Sequence, residues 1–481
     1  MRPVTLVKIA TIGFVFAILG GCTVGPDYVK PKMAAPPAFK ENEGWKMAQP
    51  KDEASRGAWW EAFQDPQLND LESQVNISNQ TLAAAEANYR QALTLVQSAR
   101  AGYFPTVTGG GALSRSQASP NFNPSATGAI SDYLLTGAIS WELDIWGKVR
   151  RSVEGSKANA QASAGDLEGT RLSTHAQLAQ DYFQMRALDA QKKLLDKTVA
   201  DYEVFLNLTK NRYASGVASR SDVLQAETQL KAAQAQDVDT GVQRAQFEHA
   251  IAMLIGKAPS ELTIPPTPLE GEPPGIPAGL PSELLERRPD IAAAERRVAS
   301  ANAQIGVVMA AYYPTITLNA SGGFEASHVA DWLTWPSRMW SLGPGALSET
   351  IFDAGLRHAQ TEQAKAAYDG NVATYRQTVL TAFQQVEDNL AALRILEEEG
   401  KIQDEAVKAA RESVDVTVNR YKAGIAAALD VIVVEAIALS DETTAVNLLG
   451  RRMTAAVLLV QALGGGWNVT DLPSGEAVAK K

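Results

Sequence analysis

The sequence predicts an α+β membrane protein with an internal duplication, in which each chain gives four strands to a trimeric, twelve-stranded β-barrel continued by a long α-helical coiled-coil barrel. Three observations predict this fold. Short motifs return in the second half, where Arg420-Tyr421 stands 208 positions after Arg212-Tyr213. Each half has short segments of alternating polarity, which suit strands. Each half also has a proline-free stretch of roughly 65 residues, or about 100 Å of helix at 1.5 Å per residue.

The N-terminus has the pattern of a lipoprotein signal peptide over residues 1–21. Basic Arg2 and Lys8 precede an apolar run, and residues 19–22, LGGC, have the pattern of a lipoprotein cleavage site. Cys22 is the only cysteine, so it has no partner for an intramolecular disulfide. An ordinary cysteine near an ordinary cleavage site is the alternative. We expect Cys22 to begin the mature chain and to carry diacylglycerol and an N-acyl lipid, and Thr23 after it is typical of lipoproteins sorted to the outer membrane of Gram-negative cells.

Composition excludes several classes of function. The net charge of −10, with 44 basic residues, gives no surface for nucleic acid. After the signal peptide no stretch reaches the roughly 18 to 20 apolar residues of a spanning helix, so a mature chain that spans a membrane would do so as a barrel. The four histidines are scattered, and neither a Ser/His/Asp set nor a phosphate loop occurs. We therefore expect no metal site, no other cofactor and no enzymatic activity.

The duplication sets the domain boundaries. Residues 103–108, YFPTVT, return as residues 312–317, YYPTIT, at nearly the same offset as the arginine-tyrosine pairs. A connector dense in proline and glycine separates the halves, since such a segment does not continue a helix. We predict an arm at 22–65, a first repeat at 66–257, a connector at 258–281, a second repeat at 282–466 and a tail at 467–481.

Alternating polarity predicts the strands. Residues 135–144 alternate apolar and polar side chains, as expected of a strand that is wet on one face. Residues 315–321 alternate in the same way in the second repeat, whereas the fourth strand, near 340–351, alternates poorly. Four strands do not close on themselves, because the smallest membrane barrels have about eight and an open edge would leave backbone groups unpaired in lipid. Three copies would supply the twelve strands of an outer-membrane barrel.

Helical periodicity and the positions of proline predict the helices. Apolar residues three, four or seven apart predict one amphipathic helix over 66–100. The two proline-free stretches, 147–213 and 355–421, predict the long helices. Shorter helices are expected over 217–256, 282–309 and 427–463.

Several motifs resemble those of one protein family. They are residues 22–28, CTVGPDY, residues 59–66, WWEAFQDP, residues 141–150, WELDIWGKVR, and residues 284–291, LLERRPDI. Across essentially the whole mature chain the sequence resembles the TolC-type outer-membrane factors, in the lipoprotein branch that includes NodT and OprM. The resemblance implies a homotrimer in outer-membrane lipid with a periplasmic helical tunnel. It also implies docking to a periplasmic adaptor and an inner-membrane transporter of the RND type.

The expected function is a passive conduit for drugs or small solutes in a tripartite efflux pump. A secretion channel for polypeptides, as in type I export, or a channel for metal export is the nearest alternative. A periplasmic coiled-coil scaffold without a pore is an alternative of another class, against which the alternating strands argue.

The turns between each long helix and the next helix are candidate functional sites. They contain Arg212, Tyr213 and Gly216 in the first repeat and Arg420, Tyr421 and Gly424 in the second. Glycine suits a helix C-terminus that needs a left-handed residue. The resemblance implies that these tips meet the adaptor and form the closed end of the tunnel.

The family also suggests a gate near the second tip. Members close the tunnel with inward-pointing carboxylates, but the matching position is Val433 here, and the position of the hydrophobic plug is Leu429. Our hypothesis is that Leu429 forms the constriction and that Asp430 and Asp222 supply charge near it. The alternative is that both aspartates cap the returning helices, where the helix dipole favours negative charge. The sequence leaves both interpretations open.

Overall fold

The computed structural model describes residues 23–41, 57–119, 121, 128–276, 281–343 and 345–480. The signal peptide and Cys22 lie outside these residues, as do residues 42–56 of the predicted arm and 277–280 of the predicted connector. No helix in the described part of the chain is long and apolar enough to cross a membrane.

Helices account for most of the chain. The first repeat contains α1 (Pro66–Ser78), α2 (Gln80–Ala101), α3 (Lys148–Ala214) and α4 (Arg220–Leu254). The second contains α5 (Leu284–Arg287), α6 (Pro289–Ala310), α7 (Leu356–Lys422) and α8 (Ala428–Ala462), and α9 (Gly475–Lys480) follows. The long helices α3 and α7 have 67 residues each, as their freedom from proline predicts.

The predicted single helix over 66–100 is wrong at Asn79. There the backbone is extended, with φ −67° and ψ 121°, and the chain passes from α1 to α2. The Asn79 side chain accepts a hydrogen bond from the backbone N–H of Leu82 at 2.9 Å and donates one to the backbone oxygen of Leu254 at 2.7 Å. These two bonds replace helical bonds, since asparagine is among the best N-cap residues and α4 supplies an acceptor that the sequence pattern does not reveal.

Both long helices begin in the same way. Gly147 and Gly355 precede them in the left-handed conformation, with φ of 79° and 88°. An aspartate before each glycine accepts a hydrogen bond from the N–H of the first turn and pairs with an arginine of that turn: Asp144 with Arg150, and Asp353 with Arg357. The repeat therefore preserves the device that starts each helix, because a carboxylate there satisfies free N–H groups and complements the dipole.

The strands form one antiparallel sheet in the order β1 (Thr106–Ser116), β2 (Ile130–Glu142), β3 (Thr315–Ala326) and β4 (Arg338–Leu342). A short β5 (Ala346–Ser348) pairs with the other end of β3, on residues 315–317. The fourth predicted strand is therefore two short segments on one neighbour, separated near Gly343, whose φ is 96°. The interruption explains its poor alternation, because a left-handed residue ends the pleat.

The buried residues lie among the helices rather than under the sheet. One cluster joins α6, α7 and α8 through residues such as Val298, Val386 and Leu459. A second joins α1, α3 and α4, and Trp59 and Trp60 of the predicted arm belong to it. Every residue of β1 is exposed in the single chain. The sheet thus has no core of its own within one chain.

Candidate functional site at the helical tips

Both hairpin turns end their long helix in the same geometry. Gly216 and Gly424 have φ of 76° and 79°. The backbone N–H of Val217 donates to the oxygen of Arg212 at 2.9 Å, and that of Ile425 donates to the oxygen of Arg420 at 2.8 Å. Bonds of this span around a left-handed residue form the Schellman motif, so the two glycines have the conformational role that the sequence predicts.

The two tips are joined by one arginine. Nη1 of Arg212, in α3, donates to the backbone oxygen of Tyr421 at 2.6 Å, and its guanidinium lies 4.6 Å from the centre of the Tyr421 ring. The Tyr421 hydroxyl lies 3.2 Å from Oγ1 of Thr209. We call Thr209, Arg212 and Tyr421 the tip latch, because together they connect α3 to the end of α7.

The tip latch is not symmetric between the repeats. Tyr421 is 3% exposed, whereas Tyr213, its counterpart in the first repeat, is 48% exposed. Phe205 supports Tyr421 with its ring centre 5.3 Å away. Sequence analysis identified Arg212 and Tyr421 from the repeat, but it missed Thr209 and Phe205, which lie in an ordinary helical pattern.

Asp222 and Asp430 are helix caps in the structure. The carboxylate of Asp222 accepts from the N–H of Ser219 at 2.8 Å, and the Ser219 side chain accepts in return from the N–H of Asp222 at 3.2 Å. Asp430 accepts from the N–H of Ala427 at 2.9 Å. The geometry favours the capping interpretation for both aspartates. Their role as gate charges stays a prediction.

The candidate constriction is on the surface of the single chain. Leu429 is 52% exposed and Val433 is 48% exposed, one helical turn apart on α8. Val217 and Ile425, just after the two turn glycines, are 66% and 69% exposed. The tips therefore present apolar side chains outward as well as the latch between them.

A group of carboxylates above the tips was not predicted. Burial, together with the carboxylates of Asp201, Glu442 and Asp415, raises the pKa of Glu435, in α8, to about 7, while Lys197 opposes them. Burial also raises the pKa of Tyr202 to about 12. These acids come from α3, α7 and α8, so no single segment of sequence reveals the group. Across the described residues no cluster of histidine, cysteine and acidic side chains has the arrangement of a metal site.

Residues 71–257 and 280–465 match the family described as outer membrane efflux protein. The chain belongs to that family. The two matched segments overlap the two predicted repeats, 66–257 and 282–466. It is an outer-membrane component of the efflux type, and the family is one of transport conduits.

Relatives with named roles cover nearly the whole chain. The toluene efflux pump outer membrane protein TtgC of Pseudomonas putida is 32% identical over 467 residues, which is 96% of both chains. The pyoverdine export outer membrane protein OpmQ of Pseudomonas aeruginosa is 31% identical over 458 residues, 94% of this chain and 95% of OpmQ.

Solved structures have the same fold. The outer-membrane channel OprN superposes with a TM-score of 0.85 at 30% identity, covering 93% of this chain and all (100%) of that one. The open state of the Neisseria gonorrhoeae outer membrane channel MtrE superposes at 0.80 with 26% identity, over 93% of this chain and 99% of that one. The predicted fold is confirmed: the chain has the fold of trimeric outer-membrane channels with a helical barrel.

Proposed function

We propose that three copies of this chain form a passive conduit that carries small organic solutes or drugs to the cell exterior. The observation that supports it best is the sheet, whose outer strands β1 and β4 each have one neighbour in the chain. Every residue of β1 and four of the five residues of β4 are exposed. Unpaired backbone groups are costly in lipid, and identical copies can pair β1 of one chain with the fourth strand of the next. Two relatives of this chain, the toluene efflux protein TtgC and the pyoverdine export protein OpmQ, support small molecules as cargo.

The exposed helical tips support the docking of pump partners. Exposed apolar side chains at the end of both hairpins, Val217 and Ile425, suit a protein partner that covers them. A periplasmic adaptor would dock there and connect the conduit to an inner-membrane transporter of the RND type. Opening would then require the tip latch to release, because Arg212 joins the two hairpins.

The gate and the anchor complete the proposal. Leu429 would narrow the closed end, with Asp430 and Asp222 near it, by threefold symmetry. Cys22 would carry diacylglycerol and an N-acyl chain in the outer membrane, since two or more acyl chains give stable anchoring. The protein itself would catalyse no reaction, since a conduit needs only a path and a gate.

Planar bilayers test the conduit directly. Purified mature protein should run as a trimer in detergent and give discrete conductance steps. Leu429→Ala should raise the conductance, and Asp430→Ala should lower cation selectivity, whereas unchanged values in both variants would exclude the gate assignment. A stable monomer that leaves the bilayer silent would contradict the conduit itself.

A further inference from the structure

The N-terminal arm, residues 23–41, crosses the root of the sheet, where β2 leads into α3 and α6 leads into β3. The backbone N–H of Val24 donates to the oxygen of Trp146, in the segment between β2 and α3, at 3.1 Å. The Trp146 indole in turn donates to the oxygen of Pro314, just before β3, at 2.7 Å. The arm is thus bonded to the segment that ties the two strand roots together.

Arg151, in the first turn of α3, holds the arm. Its side chain is 4% exposed. The guanidinium donates to the backbone oxygens of Val24 and Gly25, at 3.2 and 3.1 Å, and to Oδ1 of Asp27 at 2.9 Å. It also donates to Glu154 of its own helix at 2.9 Å. A buried guanidinium is costly unless its donors are satisfied, and here most of the acceptors belong to the arm.

Two glycines let the arm reach that arginine. A Cβ atom on Gly25 would lie 2.5 Å from Cα of Gly306, in α6. A Cβ atom on Gly306 would lie 2.8 Å from Cγ of Arg151 and 2.9 Å from the oxygen of Val24. Neither position has room for a side chain, because real Cβ contacts are longer and the neighbours are mostly backbone.

The contacts continue along α6. Nδ2 of Asn302, which is 5% exposed, donates to the oxygen of Pro26 at 2.9 Å. The Tyr28 hydroxyl donates to the carboxylate of Glu295, and burial raises the pKa of Tyr28 well above its ordinary value. Residues 24 to 28 are therefore contacted one after another, by backbone and side chain, as a peptide is in a binding groove.

We propose that this groove between α3 and α6 is a docking site for residues 23–28 of the arm, with Arg151 as its positioning residue. Docking fastens the roots of β2 and β3, so that the sheet leaves the helical barrel at the angle that pairing between copies requires.

The arm also lies against the turn that precedes α3. A Cβ atom on Gly147 would lie 2.8 Å from Cγ2 of Thr23, so Thr23 is in close contact with that turn.

Variants of the full-length protein, expressed with its signal sequence, distinguish an arm that is docked in the groove from an arm that only lies along the surface. Arg151→Ala removes the donors, and Gly306→Ala fills the space that the arm occupies. Asp27→Asn keeps an acceptor oxygen but removes its negative charge, on a side chain that is 95% exposed, so it leaves the core intact. Gly155→Ala is the matched control on α3, because its Cβ atom would meet nothing closer than 3.5 Å. Arg297→Ala controls for loss of a helical arginine that pairs with Asp166 on the surface.

Hydrogen–deuterium exchange of the peptide 23–28 and the temperature at which trimers dissociate in detergent are the two measurements. We expect Arg151→Ala and Gly306→Ala to exchange about tenfold faster or more in that peptide and to lose heat-resistant trimers, with a smaller effect for Asp27→Asn. Both controls should behave as the unmodified protein. Unchanged exchange in Arg151→Ala and Gly306→Ala, or faster exchange with trimers as heat-resistant as before, would overturn the proposal.

Labelling with radioactive palmitate distinguishes the two hypotheses. The unmodified protein and Arg151→Ala should both take up label, and Cys22→Ser should not. Absence of label in the unmodified protein would contradict the lipid anchor alone, whereas the docking of the arm would still be decided by exchange and trimer stability. Bilayer conductance of the unmodified protein tests the conduit independently of both.

Discussion

The two long helices have the same length and the same kind of start but opposite surroundings. Helix α3 has 26 buried residues among its 67, and it packs against α1, α2, α4, α6, α8 and α9. Helix α7 has 11 buried residues among its 67 and packs mainly against α6 and α8. Duplication thus produced one helix that is the centre of the chain and one that leaves most of its surface uncovered. In a trimeric fold, such a surface is available to the neighbouring chain and to the channel.

The largest expected effect is on the core around α3. Leu178 has 0% exposure. Leu178→Ala should lower the free energy of unfolding by about 2 to 5 kcal/mol, because the chain loses buried apolar surface and keeps a cavity. Thermal unfolding followed by circular dichroism measures it. The matched change on α7, Leu380→Ala, removes a side chain that is 51% exposed and should leave the unfolding of the helices nearly unchanged while it lowers trimer stability. Equal losses of helical stability would contradict the contrast between the helices.

The tip latch is expected to give the next largest effect. Arg212→Ala removes the bond and the ring contact to Tyr421, so we expect more frequent or larger openings in planar bilayers. A change of roughly twofold to tenfold in open probability corresponds to the 0.5 to 1.5 kcal/mol of one net hydrogen bond. Arg420→Ala, at the equivalent position of the other tip, serves as the control. Equal conductance changes in both variants would show that the asymmetry of the tips has no functional consequence.

Glu435, in α8, gives the chain a pH-dependent stability. Its pKa is raised to about 7 in the folded protein from an ordinary value of 4.5, so the stability present below pH 4.5 is lost as the pH rises to about 7. We expect Glu435→Gln to raise the midpoint of thermal unfolding at pH 8 by a few degrees and to change it little at pH 4. A midpoint that shifts equally at both pH values would contradict this explanation.

The smallest effects should come from the caps. Asp222→Ala removes the carboxylate bond to the N–H of Ser219, and Asp430→Ala removes the carboxylate bond to the N–H of Ala427, so each should cost about 0.5 kcal/mol, the low end for a helix cap. Hydrogen exchange in the first turns of α4 and α8 measures this fraying. No change in exchange for either variant would contradict the capping role.

Particular residues show how far the sequence leads. Glycine and proline predicted the long helices, the turns and the connector, because each has a backbone requirement that acts locally. The break at Asn79 was missed because its second hydrogen bond goes to Leu254, far along the chain. The sequence predicted only part of the tip latch. The repeat identifies Arg212 and Tyr421, but it does not identify Thr209, whose hydroxyl contacts Tyr421. The predicted tail proved partly helical, with Val478 of α9 buried against α2 and α3.

The sequence by itself determined the family, the duplication and the elements of this protein, because periodicity, turn residues and motifs are properties of short segments. Only the tertiary structure decided which repeat becomes the buried one, that the arm crosses at Arg151, and that the acids around Glu435 meet. These depend on contacts between residues more than a hundred positions apart. Such contacts follow from packing, for which a single sequence carries no local signal.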